Sequence, residues 1–117
     1  MPVVNATDGV LNITSNSTVA FHSGGAFDMN ISSGVTAITF QFPDAVGTIP
    51  LADGTTISVR QIDSSHQVGN GTSDGITLPS NVSVAGLGIT PPPGVVCLQG
   101  SRFAWSYRAA DHKWYAA

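Results

Sequence analysis

Hydrophobic and polar residues alternate in short runs along this chain, and turn-forming residues separate the runs about every ten positions. Alternation places every second side chain on one face of a strand. Phe27, Met29 and Ile31 share one face in this way, as do Phe40 and Phe42. Short strands with turn signals between them are typical of a β-sandwich or a barrel. The pattern therefore predicts an all-β fold, an antiparallel β-sandwich or barrel-like domain with little or no helix.

The first half of the chain predicts five strand regions, one of which contains Phe27, Met29 and Ile31. Residues 10–14 and 17–21 predict a first pair of strands joined by a tight turn. Residues 35–42 predict the clearest strand of the chain, with Ile38, Phe40 and Phe42 on one side. After an Asp-Gly turn signal, Ile57 and Val59 point to one side of a further strand.

The second half begins with weaker signals. Residues 63–75 are polar and rich in glycine, which predicts a long exposed loop. Residues 82–89 predict a weaker strand whose alternation slips near its centre. A run of three prolines then predicts a stiff corner, and the apolar residues 95–98 predict a short buried strand.

The last part of the chain predicts a hairpin that is rich in aromatic residues. Phe103, Trp105 and Tyr107 alternate strictly, and residues 113–116 return after a short turn. In a hairpin, Trp114 falls opposite Tyr107. A cross-strand aromatic pair of this kind contributes about 0.5 to 1 kcal/mol beyond the burial of its area.

Composition supports the absence of helix and the presence of one domain. Only 9% of the 117 residues are charged, no Glu occurs, and Lys113 is the only Lys. An average soluble domain has about 25% charged residues, and Glu and Lys are common on exposed helices. The length predicts one β domain over residues 1–117, with residues 1–9 as an extended N-terminal arm.

Charge and cysteine content exclude several classes of partner. The net charge of −3 argues against the basic surface that nucleic-acid binding needs. No apolar run approaches the roughly 20 residues of a membrane-spanning helix, and the N-terminus lacks the features of a secretory signal. Cys97 is the only cysteine, so no internal disulfide holds the fold. We expect synthesis in a reducing cytoplasm, without nucleic-acid or membrane partners.

The residues give no reason to expect an enzyme or a cofactor. The Asp residues lie mostly in turns, where the carboxylate bonds to nearby backbone. His22, His66 and His112 are isolated in sequence and are expected in exposed loops; a metal site where one of them lines a three-fold axis is the alternative. Cys97 lies in an apolar run, where burial makes a thiol inert. We expect no catalytic residues, no metal and no cofactor.

The hairpin supplies the candidate contact residues. Its aromatic side chains suit either a sugar-stacking platform or a core and subunit interface, and alternation favours the second interpretation. The arginines fall on the opposite face, where they are solvated or paired with an Asp across a subunit contact. The candidate interface or glycan-contact residues are Trp105, Tyr107, Trp114, Tyr115, Arg102 and Arg108.

Three passages of the chain resemble a family. They are the strand at residues 38–43, the Asp-Gly-Thr-Thr-Ile run within residues 50–59, and the closing hairpin of residues 98–115. Together they resemble the β-domains of tailed-bacteriophage fibres and small capsid-associated proteins. The resemblance implies a virion component, commonly a homotrimer, and no catalytic residues carry over from it.

The expected function is therefore that of a virion structural protein. A homotrimeric capsid decoration (cement) protein that stabilises the head is the first hypothesis, with the major capsid protein or other virion subunits as partners. Strands with neutral flanks leave edges that a closed oligomer would cover. The alternative is a tail-fibre or receptor-binding module that recognises a host surface glycan. A third class, a small hydrolase, requires a nucleophile beside a base in a cleft.

Overall fold

The computed structural model describes residues 2–44, 51–63, 65–97 and 99–117. This part of the chain contains strands and no helix, which confirms the all-β prediction. The strands are β1 (Val3–Asn5), β2 (Gly9–Ile13), β3 (Ser17–Ala20), β4 (Ala26–Ile31), β5 (Ile38–Gln41), β6 (Thr56–Gln61), β7 (Val68–Gly69), β8 (Thr72–Ser73), β9 (Ile76–Thr77), β10 (Val95–Cys97), β11 (Arg102–Arg108) and β12 (Lys113–Ala116).

The strands form two five-stranded sheets and one small pair. Sheet A has the order β1-β3-β5-β9-β8, sheet B has the order β12-β11-β6-β4-β2, and β10 pairs with β7. From β1 to β6 the chain alternates between the two sheets. Each sheet therefore gains one strand for every coil of the chain, and the first coil consists of β1 and β2.

Strand direction differs from the expected antiparallel arrangement. The neighbours β1, β3, β5 and β9 pair in parallel, as do β2, β4 and β6. The cause is the coil: parallel neighbours need a crossover between them, and here the intervening strand of the other sheet supplies it. The predicted pairing of residues 10–14 with 17–21 is wrong for the same reason, since β2 and β3 lie in different sheets.

The C-terminal hairpin has the predicted antiparallel pairing. β11 pairs with β12 on one side and with β6 on the other. Tyr107 lies opposite Trp114, and their ring centroids are 5.1 Å apart at an interplanar angle of 58°. The predicted cross-strand aromatic pair is therefore confirmed.

The core lies between the inner faces of the two sheets. The side chains that alternation assigned to inner faces are buried: Phe27, Met29, Ile31, Ile38, Phe40, Phe42, Ile57 and Val59. Aromatic rings connect the sheets across the core. Phe21, at the end of β3, packs against Phe27 in β4 with ring centroids 4.8 Å apart, and Phe42, at the end of β5, packs edge-on against Trp105 in β11 at 5.0 Å.

The region predicted as a long exposed loop, residues 63–75, is instead partly buried and contains two short strands. Val68 in β7 is fully buried, and Asp63 is also buried. Asp74 and Gly75 both have positive φ, 49° and 80°, and form the two-residue turn between β8 and β9. An Asp-Gly pair suits such a turn because both residues tolerate positive φ.

The weaker strand predicted over residues 82–89 does not form. Residues 81–85 run along the outer edge of β12, where Val82 makes a single bridge with Trp114. The Trp114 N–H donates to the Asn81 carbonyl at 2.8 Å, and the Ala116 N–H donates to the Ala85 carbonyl at 2.9 Å. This segment therefore covers the β12 edge of sheet B.

Residues 2–9 belong to the folded body, in contrast to the expected N-terminal arm of residues 1–9. β1 pairs with β3, and the buried Ala6 donates its N–H to the Ala20 carbonyl at 2.8 Å. Met1 lies outside the described residues. The short strand predicted at residues 95–98 forms as β10, with Cys97 buried but Val95 exposed, and Leu98 lies outside the described residues.

Candidate functional site

The inner face of the hairpin is core. Trp105 and Trp114 are fully buried, and Tyr107 is 2% exposed. The Trp105 Nε1–H donates to the Ser83 carbonyl at 3.1 Å, and the Trp114 Nε1–H donates to the Pro43 carbonyl at 2.9 Å. Alternation favoured this core position for Trp105 and Tyr107. Because the rings do not reach the surface, they cannot form the sugar-stacking platform considered as an alternative.

The outer face of sheet B carries every cationic side chain of the protein. The inward-facing residues of β6, β11 and β12 fix this arrangement, because their neighbours in sequence must point outward. The outward-facing cations are Arg60, Arg102, Arg108 and Lys113. Three of these four cations are paired with an aspartate of the same face.

Asp28 bridges two of these cations within the chain. Its two carboxylate oxygens lie 2.8 Å from Arg60 Nη2 and 2.7 Å from Arg102 Nη2. The Arg102 Nη1–H also donates to the Ser58 hydroxyl at 3.0 Å. Arg102 was expected to be solvated or paired across a subunit contact, and it is instead paired within its own sheet while remaining part-exposed.

Tyr115 and Arg108 both contact Asp111, in the turn between β11 and β12. The Tyr115 hydroxyl donates to Asp111 Oδ2 at 2.5 Å, and Arg108 Nη1 lies 3.8 Å from the same oxygen. The bond from Tyr115 holds the pKa of Asp111 below its ordinary value, and the same bond raises the pKa of Tyr115. This bond orients the half-buried Tyr115 ring.

A surface pocket of about 290 Å³ opens next to this ring. We call it the hairpin pocket, and its lining includes Asp53, Leu87, Ser106, Arg108 and Tyr115. Small-molecule sites range upward from about 300 Å³, so the hairpin pocket suits a ligand the size of one ring. Its lining contains three of the predicted contact residues, Tyr107, Arg108 and Tyr115.

Asp63 and His66 form a buried polar pair that the sequence prediction missed. Asp63 Oδ2 lies 3.0 Å from His66 Nδ1, and His66 Nε2 lies 2.8 Å from the Val35 carbonyl oxygen. Asp63 also accepts from the Ile31 N–H at 3.0 Å. The expected exposure of His66 is therefore wrong, because His66 is 3% exposed. Both ring nitrogens are engaged within the fold, so the pair stabilises the local structure.

The other two histidines are exposed, as expected. His22 Nε2 lies 3.4 Å from Asp8, and His112 Nδ1 lies 3.1 Å from the Tyr107 hydroxyl oxygen. Among the described residues, no three His, Cys, Asp or Glu side chains approach closely enough to hold a metal ion.

Cys97 has the environment of a structural thiol. Its Sγ–H donates to the Ser101 carbonyl at 3.2 Å, and burial raises the pKa of the thiol. Since the thiolate is the reactive form, a raised pKa leaves less of it at a given pH.

We expect Cys97 in the native protein to react with a disulfide reagent at pH 8 at least about tenfold more slowly than in the urea-unfolded chain. Stopped-flow absorbance of the released thiol measures both rates. Equal rates would show that the thiol is exposed in the folded protein.

Searches against models of known protein families, curated proteins and solved structures found no match for this chain. No helix with the length and hydropathy needed to cross a membrane occurs in the described part of the chain. The candidate functional features are the hairpin pocket and the edge strands β1 and β2.

Proposed function

We propose that this chain is a structural subunit of a tailed-phage virion, a homotrimeric capsid decoration protein. It acts by packing against copies of itself and against other virion subunits. The observation that carries the proposal is the end of the molecule formed by β1 and β2, where both sheets present an open strand edge. The resemblance of residues 38–59 and 98–115 to capsid-associated and fibre domains supplies the biological setting.

The edge of sheet A is open at β1. The Ala6 N–H donates to the Ala20 carbonyl in β3, so alternate residues of β1 direct their backbone groups away from β3. Those residues are Val3 and Asn5. Their N–H and C=O groups face no strand among the described residues, since β1 is the first strand of the sheet.

The edge of sheet B is open at β2 in the same way. The Ile13 carbonyl accepts from the Ser32 N–H at 2.9 Å, so Val10 and Asn12 direct their backbone groups away from β4. The Asn30 Nδ2–H donates to Asn12 Oδ1 at 2.9 Å. We call the outward backbone groups of Val3, Asn5, Val10 and Asn12 the N-terminal edge.

The N-terminal edge lacks the features that prevent pairing with other chains. Charged side chains usually protect an exposed strand edge, and β1 and β2 contain none. Val3 and Val10 are instead 59% and 57% exposed. The opposite end of sheet B is covered, because residues 81–85 bond along β12. Within sheet B, the β2 edge is therefore more available for pairing than the β12 edge.

Two different open edges at one end suit a closed ring of copies. The β1 edge of one copy can pair with the β2 edge of the next, which continues a sheet across each contact. A head-to-tail contact of this kind closes into a ring when the rotation between copies allows it. In a trimer, every copy would have both open edges covered.

Proline substitutions test the N-terminal edge while preserving the pairing within each copy. In the double variant Asn5→Pro/Asn12→Pro, each proline removes an outward N–H and leaves the bonds to β3 and β4 in place. The matched control, Asn5→Ala/Asn12→Ala, removes the same side chains but keeps both donors. Circular dichroism verifies that both variants are folded.

We expect light scattering to give a trimer of three 12.0 kDa chains, about 36 kDa, for the native protein and the alanine control. The proline variant is expected to be a monomer. A native protein that stays monomeric at all concentrations, or a proline variant that remains trimeric, would contradict the proposal. Binding to capsids of the phage that encodes the chain then separates decoration from other virion roles, since a decoration protein sediments with capsids.

A further inference from the structure

We propose that the hairpin pocket binds one neutral pyranose ring of a glycan. This inference goes beyond the structural role and rests on different residues. It concerns the outer face of β11 and β12, the turn that precedes β6, and Leu87. The candidate ligand class follows from the size, the apolar surface and the polar groups of the pocket.

The apolar surface of the pocket comes from Tyr115 and Leu87. Leu87 is 55% exposed, so its side chain is accessible to a ligand in the pocket. A pyranose ring has a face of C–H groups that packs against an aromatic ring or an aliphatic side chain. The bond from Tyr115 to Asp111 fixes the Tyr115 ring, so little conformational entropy is lost when a ligand packs on it.

The polar groups of the pocket require a ligand whose groups both donate and accept. Asp53 is an acceptor only, and one of its oxygens already accepts from the Ala109 N–H at 2.9 Å. Arg108 is a donor only. Neighbouring hydroxyls of a sugar satisfy both, since each hydroxyl donates and accepts. Ser106 also lines the pocket, and its hydroxyl can donate to or accept from a sugar hydroxyl.

The charges of the pocket disfavour ionic ligands. Asp53 and Arg108 carry opposite charges, so an anion that pairs with Arg108 is repelled by Asp53, and a cation that pairs with Asp53 is repelled by Arg108. A neutral, polyhydroxylated ring with one apolar face meets neither penalty. The volume of about 290 Å³ limits direct contact to about one ring, while the open mouth leaves room for the rest of a glycan chain.

The position of the hairpin pocket keeps it accessible in the proposed assembly. It lies beside β12, and β12 and β2 are at opposite ends of sheet B. A trimer that forms through the N-terminal edge therefore leaves the hairpin pocket at the surface of each copy.

NMR titration of the isotope-labelled protein tests this inference. The probes are the methyl pyranosides of glucose, galactose, mannose and N-acetylglucosamine. We expect at least one sugar to shift the amide signals of Leu87, Ser106 and Tyr115, with a dissociation constant on the order of 1 mM, since one ring makes few contacts.

Matched variants then assign the binding to the pocket. Asp53→Asn and Tyr115→Leu are each expected to weaken binding about tenfold or more. Asp74→Asn, which makes the same charge change in an exposed turn, is expected to leave binding unchanged, and Tyr115→Phe, which keeps the ring, is expected to retain most of it.

The inference is overturned if none of the four sugars shifts these signals, or if Asp53→Asn and Tyr115→Leu bind as tightly as the native protein. Its failure is distinguishable from failure of the assembly proposal. The pocket variants leave the N-terminal edge intact, and the proline variants leave the hairpin pocket intact.

Discussion

Replacing Asp63 by alanine is expected to lower the free energy of unfolding by about 3 to 5 kcal/mol. The carboxylate accepts from the backbone N–H groups of Ile31, Ser65 and His66 and bonds to the His66 ring. Each buried donor that loses its acceptor without gaining water costs about 1 to 3 kcal/mol. The side chain connects the end of β4 to the segment that follows β6, so its loss frees donors in both places.

Urea denaturation followed by tryptophan fluorescence measures this loss. The control is Asp8→Ala, which removes an exposed carboxylate that accepts from a single backbone N–H, that of Ala26. The control is expected to cost less than about 1 kcal/mol. Similar losses in the free energy of unfolding for the two variants would show that burial of Asp63 does not account for its contribution to stability.

Replacing Trp105 by alanine is expected to cost about 3 to 5 kcal/mol, because it leaves a large cavity between the sheets. Trp105 is fully buried and packs against Phe42 at 5.0 Å and Phe103 at 4.7 Å. It also holds the segment that covers β12, through its bond to Ser83. We therefore expect faster proteolysis of residues 81–90 in this variant.

Trp105→Phe separates the ring from its hydrogen bond. It keeps most of the buried apolar volume but leaves the Ser83 carbonyl without the indole donor, so we expect a loss of about 1 to 2 kcal/mol. Thermal unfolding compares the stability of the native protein with that of Trp105→Phe and Trp105→Ala. If the alanine variant were no less stable than the phenylalanine variant, cavity formation could not be the main cost.

Alternation along the chain predicted the faces of the strands well. It assigned Phe27, Met29 and Phe40 to the core and placed Tyr107 opposite Trp114, and the structure confirms each of these. The reason is local: the face on which a side chain lies depends only on its own strand. Burial of one face is required whichever neighbour the strand acquires.

Strand direction could not be predicted, because it depends on where a connection leads. The three residues between β2 and β3 are short enough for a hairpin, yet they pass to the other sheet. Likewise, the polar composition of residues 63–75 suggested exposure, although Asp63 is buried by the bonds it makes to backbone. A local signal did exist, since an Asp that precedes Ser-Ser-His can accept from the backbone two and three residues later.

The hairpin pocket was predicted only in part. Tyr107, Arg108 and Tyr115 were among the candidate contact residues, because they belong to a recognisable hairpin. Asp53 and Leu87 were not, since they reach the pocket from distant parts of the chain. A pocket built from separate segments has no continuous pattern in the sequence.

The N-terminal edge is the feature on which the proposed structural role depends. Its outward backbone groups belong to neutral strands, at the end of the molecule opposite the segment that covers β12. Amide hydrogen exchange at Asn5 and Asn12 tests its role most directly, because these N–H groups have no partner strand within one copy of the described chain. We expect them to exchange as slowly as the Leu11 amide at concentrations where the protein is trimeric, and rapidly on dilution to monomer. Rapid exchange at every concentration would contradict the account.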